Sequence, residues 1–298
     1  MKQIYRADKR GNLTEILKEM KAPKLLMLMS NAKQFEEHVQ ELEKQFPGVP
    51  SIGCIGGSYG GQEVAAENGV AVIAMEGNLT VATNVLEQAS TMPVKYIGRL
   101  EADINKVGAS EKNTVCIDFC TGNDACVLTT IYSVLGQKKI SLVGGTGDGG
   151  KVSVNGKVYE DADVYALIRN NDGKVKVYKE NIYKQVPGCR FIASRTDRSK
   201  YLLGELNGQP AKKVYQDILH ITDKEMDTQT LKNPLGKMNG QDICIISIKE
   251  VAGNQLICYR QVNDSDVLTL LEAQNISEVV ENTVQKIHND FSHISGVF

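Results

Sequence analysis

Two glycine-rich segments, residues 53–61 and 144–150, each follow a predicted buried strand. Glycine has no side chain, so the backbone N–H groups of such segments can approach a ligand closely. The second segment carries the spacing Gly145-x-Gly147-x-x-Gly150. In dinucleotide-binding proteins this spacing precedes a helix whose N-terminus holds the pyrophosphate. The residues after Gly150 predict a strand and a turn instead, so nucleotide binding at this segment stays an alternative.

The same segment also approaches the spacing of a phosphate-binding P-loop, with Gly145 followed after four residues by Gly150 and Lys151. That motif needs a serine or threonine next to hold magnesium, and Val152 stands there. A nucleotide-dependent enzyme using residues 144–151, or a cysteine catalyst using Cys120, is therefore the rival hypothesis. The alternative without ligand chemistry is a glycine loop at a sheet edge, where the backbone needs positive φ.

Polar side chains cluster where a predicted strand turns into a predicted helix. Asp118, Cys120 and Asp124 lie at this turn, the usual place for ligand contacts in α/β sheets. Capping of the helix by Asn123 or Asp124 explains the same residues equally well. Both interpretations are open, and Arg169 is a further polar candidate for ligand binding.

The metal-binding residue types do not form a recognisable motif. Cys116, Cys120 and Cys126 are close in sequence, but no Cys-x-x-Cys pair occurs among the seven cysteines. His288 and His293 are five residues apart, which does not aim two side chains at one metal. We predict no metal site and no complete set of nucleophile, base and oxyanion donors.

Composition limits the class of protein. The 298 residues are 42% hydrophobic and carry a net charge of −2 without a basic block, which argues against nucleic-acid binding. The longest apolar runs fall far short of the roughly 20 residues of a membrane helix. An N-terminus without an apolar signal region and scattered cysteines predict a cytoplasmic protein.

Periodicity predicts an α/β to α+β fold with mixed sheets flanked by helices in two linked halves. Helices are predicted over residues 31–46, 99–107, 124–135, 210–220 and 277–291. Strands are predicted over residues 24–30, 49–54, 70–75, 79–83, 94–97, 114–119, 140–143, 152–154, 157–159, 164–168, 174–178 and 201–206, with 243–248 and 255–259 as an antiparallel pair. Asn155-Gly156 and Asp172-Gly173 predict hairpin turns, and residues 222–240 predict turns.

The order of these features resembles the FIST sensory domain family over roughly residues 20–298. Residues 206–215 are the most specific match, and residues 233–236 resemble the start of the C-terminal half. The N-terminal half is matched by residues 53–57, 69–72 and 142–148, with Asp118 ahead of the predicted 124–135 helix. The resemblance implies halves at 20–205 and 206–298. The second half is expected to be incomplete, because the family continues beyond Gly296-Val297-Phe298 into another strand.

The resemblance implies a cytoplasmic sensory domain that is not an enzyme. It would bind a small molecule such as an amino acid between its halves and act on a signalling output domain or partner, as in chemotaxis receptors. A homodimer is compatible with this function. The predicted ligand-binding residues are Cys54, Gly56, Gly57, Asp118, Asp124, Gly144, Gly145, Thr146 and Arg169. No cofactor is expected, although some members resemble haem-binding gas sensors, for which His220 or His288 would serve as axial ligand.

Overall fold

The structure is a computed structural model that describes residues 1–60, 63–65, 68–122, 124–239 and 242–297. The chain divides into two compact units. Unit 1 consists of Met1–Val177 together with the residues from His293 on, and unit 2 is Tyr178–Ser292. Unit 1 contains both glycine-rich segments and therefore the candidate site.

Unit 1 is built from two large sheets, one two-stranded hairpin and four α-helices among the residues that the structure describes. Its helices are α1 (Leu13–Leu17), α2 (Phe35–Gln45), α3 (Ile97–Val107) and α4 (Asp124–Leu135). Its strands are β1 (Lys2–Asp8), β2 (Pro23–Ser30), β3 (Ser51–Ile55), β4 (Ser58–Gly60), β5 (Glu63–Ala65), β6 (Val70–Glu76), β7 (Leu79–Glu87), β8 (Thr114–Cys120), β9 (Ser141–Thr146), β10 (Val152–Val154), β11 (Lys157–Tyr159) and β12 (Ala162–Asn170).

Both sheets mix parallel and antiparallel pairs, as the sequence predicts. Sheet 1 has the order β1-β6-β2-β3-β10-β11, in which only β2 and β3 are parallel within the described strands. Sheet 2 has the order β7-β12-β8-β9, with β8 and β9 parallel. β4 and β5 pair with each other as a separate hairpin.

The two sheets pack face to face and carry helices on their outer faces, which gives four layers. Leu25, Ile52, Val115 and Val164 are among the side chains of both sheets that share the inner core. α1 and α2 cover the outer face of sheet 1, and α3 and α4 cover that of sheet 2. Strands buried on both faces read as continuous apolar runs, which is why β2 and β12 lack alternation.

The Asn155-Gly156 turn is confirmed. It joins β10 to β11, and both residues have positive φ, 48° and 75°, as a two-residue hairpin turn requires. The Asp172-Gly173 hairpin is wrong, because β12 lies between β7 and β8 and has no free edge for a following strand. Residues 174–178 accordingly form no strand.

A second strand prediction in unit 1 is also wrong. Residues 94–97 begin a helical segment, in which a 3-10 turn over Pro93–Tyr96 leads directly into α3. Proline fixes φ near the helical value and has no N–H to leave unpaired in a first helical turn. The apolar residues of this segment therefore belong to a helix start rather than to a strand.

Unit 2 is an antiparallel sheet with three helices among the residues described. Its strands are β13 (Tyr183–Asp197), β14 (Leu202–Leu206), β15 (Gln209–Pro210), β16 (Leu235–Asn239), β17 (Asp242–Ile246), β18 (Ile248–Ala252), β19 (Gln255–Cys258) and β20 (Val267–Ala273), in the order β17-β16-β20-β13-β14-β19-β18 with β15 on β14. Its helices are α5 (Ala211–Leu219), α6 (Met226–Lys232) and α7 (Ile276–Asp290). Phe191, Leu203, Tyr215 and Leu268 lie in its core.

Two predictions in unit 2 need correction. The segment 222–240 contains α6 and β16, and a capping box formed by Thr222 and Glu225 begins its helical part. The predicted 243–248 and 255–259 pair forms only at its end, where Ile248 pairs with Cys258 and the Tyr259 N–H donates to the Ser247 carbonyl, because β17 pairs with β16 instead. None of the helices in the described part of the chain has the length and hydrophobicity that crossing a lipid bilayer requires.

Candidate functional site

The two glycine-rich segments meet inside unit 1. The chain crosses from β9 at the edge of sheet 2 to β10 in sheet 1 through residues 147–151. On this crossing, the Gly147 N–H donates to the Cys120 carbonyl at 2.8 Å, at the end of β8. A Cβ on Gly147 would lie 3.0 Å from the Cys54 Cβ and 3.2 Å from the Ile55 carbonyl oxygen, at the end of β3. Gly147 therefore lies where strand ends of both sheets converge.

Asp118 lies directly beside the second segment. Asp118 is 3% exposed. It pairs with Gly144 on the edge strand β9, and Gly144 is exposed. A Cβ on Gly144 would lie 2.0 Å from the Asp118 Oδ1, which no structure tolerates. Because Gly144 has no side chain, the Asp118 carboxyl group fits against it, and only backbone atoms of β9 lie on that side of the carboxyl group.

Asp163 forms a second buried acid next to Asp118. On β12, Asp163 is opposite Cys120 and Tyr165 is opposite Asp118, so the two acids are diagonal neighbours on the face under α3 and α4. Asp163 is fully buried, and neither carboxyl oxygen has a hydrogen-bond partner in the described structure when drawn as a carboxylate. Burial and the adjacent charge of Asp118 raise the pKa of Asp163 well above its ordinary value.

Tyr165 and Asn84, on the same face, have paired polar groups. The Tyr165 hydroxyl donates to the Asp103 Oδ2 at 2.7 Å, and the Asn84 amide donates to the same oxygen at 3.1 Å. Burial, more than the Asp103 contact, raises the pKa of Tyr165. Buried polar groups are normally paired in this way, so the oxygens of Asp163 and the Arg169 Nε, which have no partner among the described residues, are the exceptions that need an explanation.

Cys54 and Cys116, two of the three cysteines near the site, have raised pKa values. Cys54 lies in the core between the sheets, where burial raises its pKa to about 12. Burial likewise raises the pKa of Cys116, helped by the charges of Asp118 and Asp163. The Cys120 thiol donates to the Gly122 carbonyl at 3.0 Å. Thiolates, not thiols, are nucleophilic, so the raised pKa values of Cys54 and Cys116 do not fit a catalytic role for these two residues.

The nucleotide alternative fails on the structural context that it requires. Strand β10, not a helix, follows Gly150, as the sequence predicts. Lys151 forms ion pairs with Glu36 at 2.6 Å and Glu160 at 3.6 Å. Without a helix N-terminus, the segment lacks the dipole that binds phosphate in both nucleotide motifs.

The structure brings several predicted ligand-binding residues together. Cys54, Asp118, Gly144 and Gly147 converge as described, and Gly145 and Thr146 are exposed on the same edge strand. Gly56 follows β3, where its N–H donates to the Ser30 carbonyl at 3.0 Å, and Gly57 is exposed. Asp124 begins α4, but its side chain lies outside the described residues, as does all of Asn123.

Arg169 is not brought to this cluster. It lies six residues along β12 from Asp163, about 20 Å at strand spacing. Its Nη1 donates to the Val107 carbonyl at 3.2 Å, at the C-terminus of α3, where a positive charge is favourable. A ligand role for Arg169 stays a prediction without support from its neighbours.

The histidines named as haem ligands lie in unit 2. His220 ends α5 with a left-handed backbone, and His288 lies on α7; both side chains are exposed. An axial haem ligand needs an apolar pocket, so these residues do not fit that group.

Asp163 is a site residue that the sequence did not predict, because an acid at the start of an apolar run looks like a turn residue.

Comparisons with solved structures give only weak likenesses. Cyanuric acid hydrolase from A. caulinodans is 18% identical over 34% of this chain and 33% of its own, with a TM-score of 0.20. Thiamine monophosphate kinase from Aquifex aeolicus is 10% identical over 66% of this chain and 86% of its own, with a TM-score of 0.22. This chain thus spans about a third of the length of the hydrolase. No curated protein matches it.

A family comparison is decisive. The model of the FIST N domain matches residues 24–209, which is more than half of the chain and includes every residue of the convergence described above. FIST domains are a family of sensory domains. The chain therefore belongs to the FIST family.

Proposed function

We propose that this chain is a cytoplasmic, non-catalytic sensory domain that binds a small polar molecule where β3, β8 and β9 end. The observation that carries the proposal is the contact between the two glycine-rich segments at Gly147, beside the buried carboxyl group of Asp118. Exposed glycine backbone offers hydrogen-bonding groups, and a buried charge orients a ligand; together they are the usual parts of a small-molecule site.

The family and the chemistry of the cysteines support the remaining parts of the proposal. Sensory domains report binding to an output module or a partner protein, such as those of chemotaxis, and a homodimer would serve the same end. Cys54, Cys116, Cys120 and Cys258 are buried free thiols, as expected in a reducing compartment. Amino acids are the first ligand class to test.

The test is thermal unfolding in the presence of amino acids and small organic acids, with Gly145→Ala as the site variant. A Cβ at Gly145 meets no atom within 4 Å, so the variant keeps the fold but places a methyl group on the exposed edge. We expect at least one compound to raise the Tm of the wild type, and its affinity to fall about tenfold in the variant.

Gly136→Ala is the matched control, because its Cβ also meets no atom within 4 Å and it lies after α4, away from β9. Ligand affinity should be unchanged in this variant. A folded wild type that no compound stabilises, or a ligand that ignores Gly145→Ala, would refute the proposed site.

A further inference from the structure

The sheet of unit 2 ends at two edge strands of different character. Strand β18, at one edge, carries the exposed Lys249 and Glu250, and its register against β19 is irregular between Ile248 and Glu250. Exposed charges and irregular pairing are the usual means that keep an edge strand from pairing with another chain. Residues 243–246 of β17, at the other edge, are Ile-Cys-Ile-Ile, and their register against β16 is regular. This part of β17 therefore lacks both protections.

One hydrogen bond shows which backbone groups of β16 face which neighbour. The Leu271 N–H on β20 donates to the carbonyl of Pro234, the residue directly before β16, at 2.9 Å. Hydrogen-bonded positions alternate along an antiparallel strand. The even-numbered residues of β16 therefore direct their N–H and C=O groups to β20, and its odd-numbered residues direct theirs to β17.

The same alternation identifies the free backbone groups of β17. Odd positions of β16 are opposite even positions of β17, as in the pair of Lys237 and Cys244. The N–H and C=O groups of Ile243 and Ile245 therefore point away from the sheet. Among the described strands, β17 pairs with β16 alone. The two isoleucines thus offer a row of hydrogen-bonding groups to which a further extended strand can be added.

The side chains of these two isoleucines lie on the sheet face opposite the core of unit 2. Ile245 is opposite Gly236, and Ile243 is opposite Met238, which is 41% exposed. Leu235, the neighbour of Gly236 in sequence, lies on the other face, in the core. A strand added at this edge would therefore cover apolar side chains as well as pair backbone groups.

The edge is complementary to a second copy of itself. When two β17 strands run antiparallel about a twofold axis at Cys244, Ile243 of each copy is opposite Ile245 of the other, and all five residues of β17 are paired. Both isoleucines direct their backbone groups outward, so each such pair exchanges two hydrogen bonds. Facing β-branched side chains are also favourable cross-strand pairs. The two Cys244 residues form a non-hydrogen-bonded pair, with Cα atoms about 4.5 Å apart.

We propose that the free edge of β17 is a homodimerisation surface, at which two copies pair antiparallel about Cys244 and join their unit 2 sheets. The occupant is a second copy because the backbone groups and side chains of Ile243 and Ile245 match each other under the twofold axis. The surface belongs to unit 2, whereas the proposed ligand-binding residues belong to unit 1. A five-residue edge buries less area than a standard interface, so we expect a reversible dimer with a Kd of about 10 to 100 μM.

Sedimentation velocity of the reduced protein, over a concentration series that spans this Kd, tests the proposal. The wild type should form a dimer whose fraction rises with concentration. Ile245→Lys places a charge on the free edge and should raise the Kd about tenfold or more. Ile192→Lys is the matched control, because Ile192 is 57% exposed on the same sheet face but lies on the interior strand β13. This variant should dimerise like the wild type.

Disulfide trapping gives a second readout that needs no substitution at the edge. Mild oxidation of the wild type with copper phenanthroline should yield a covalent dimer, in which mass spectrometry identifies Cys244 linked to Cys244, because the expected Cα separation suits a disulfide. Cys189 is another partly buried free thiol of unit 2. Cys244→Ser should abolish the covalent dimer, and Cys189→Ser should leave it unchanged.

Three results would overturn the proposal. The first is a wild type that stays monomeric at concentrations about tenfold above the expected Kd. The second is a dimer that Ile192→Lys disrupts and Ile245→Lys does not, which would assign association to the sheet face. The third is a covalent dimer that forms without Cys244. Urea unfolding checks that both lysine variants are folded, and if Ile245→Lys is not, the Cys244 link decides.

Discussion

At the residue scale, the most informative group is Asp163, a buried acid that the fold leaves without a hydrogen-bond partner as a carboxylate. Natural proteins tolerate such costs mainly at functional sites, where stability is exchanged for chemistry. The neighbouring Tyr165, whose hydroxyl is paired with Asp103, shows that this face can satisfy a polar group. The stability of the protein should therefore report the cost of Asp163 directly.

We predict that Asp163→Asn raises the free energy of unfolding at pH 7 by about 1 to 3 kcal/mol, because the amide is neutral without taking up a proton on folding. The pKa of Asp163 is raised in the folded state, so folding requires a proton that the unfolded chain has lost above its ordinary value of 3.8. Its stabilising contribution is complete below that pH and is lost as pH rises through the folded-state pKa.

Urea unfolding of both proteins across pH 3 to 8 measures this prediction. The advantage of the variant should grow with rising pH and vanish at the acidic end. A variant that is less stable than the wild type at every pH would show that the Asp163 carboxyl group stabilises the fold.

The candidate residues could be predicted from the sequence only in part. Asp118, Gly144 and Gly145 follow apolar runs, and that local pattern is visible in the sequence. The proximity of Asp118 to Asp163 depends on the register of β8 against β12, in which the facing residues Cys120 and Asp163 are 43 positions apart in sequence. Arg169 lies on β12, as Asp163 does, but at the opposite end of that strand from the candidate site.

At the element scale, edge strand β9 carries the requirement for glycine. Strand β8 has partners on both sides, whereas β9 has one partner among the described strands and exposes residues 144–146. Strand existence was predictable from apolar runs, because β2, β3, β6, β8 and β12 are buried on both faces. The pairing of the strands was not predictable, as the Asp172-Gly173 hairpin and the 243–248 pair show. Which strand has a free edge depends on the whole fold.

We predict that Gly144→Ala destabilises the protein by about 1 to 3 kcal/mol, because the added Cβ meets the Asp118 carboxylate and its backbone and forces them to move. Gly145→Ala, one residue further along the strand, adds a Cβ that meets nothing within 4 Å and should change stability by less than about 0.5 kcal/mol. Chemical denaturation measures both. Equal stability of the two variants would mean that Asp118 does not occupy the space over Gly144.

At the scale of the whole molecule, unit 1 is discontinuous in sequence. The chain leaves it after Val177 and returns at His293. The returning segment is fastened to β1 by two hydrogen bonds, in which the Gln3 amide donates to the Val297 carbonyl at 2.8 Å and accepts from the Val297 N–H at 2.7 Å. The Gln3 side-chain amide thus makes with Val297 the two hydrogen bonds that a backbone residue of a neighbouring strand would make.

We predict that Gln3→Ala increases hydrogen exchange at Val297 about tenfold or more while the Tm changes by less than about 2 °C. Both bonds are solvent-exposed, so their loss frees the segment without removing core contacts. Mass spectrometry of exchanged peptides measures the effect. Unchanged exchange would show that contacts other than Gln3 hold the returning segment.

The double crossing between the units has a mechanical meaning. Because the chain leaves unit 1 after Val177 and returns to it at His293, the returning segment joins the rest of unit 1 only through noncovalent contacts, and it can detach while the rest of unit 1 stays folded.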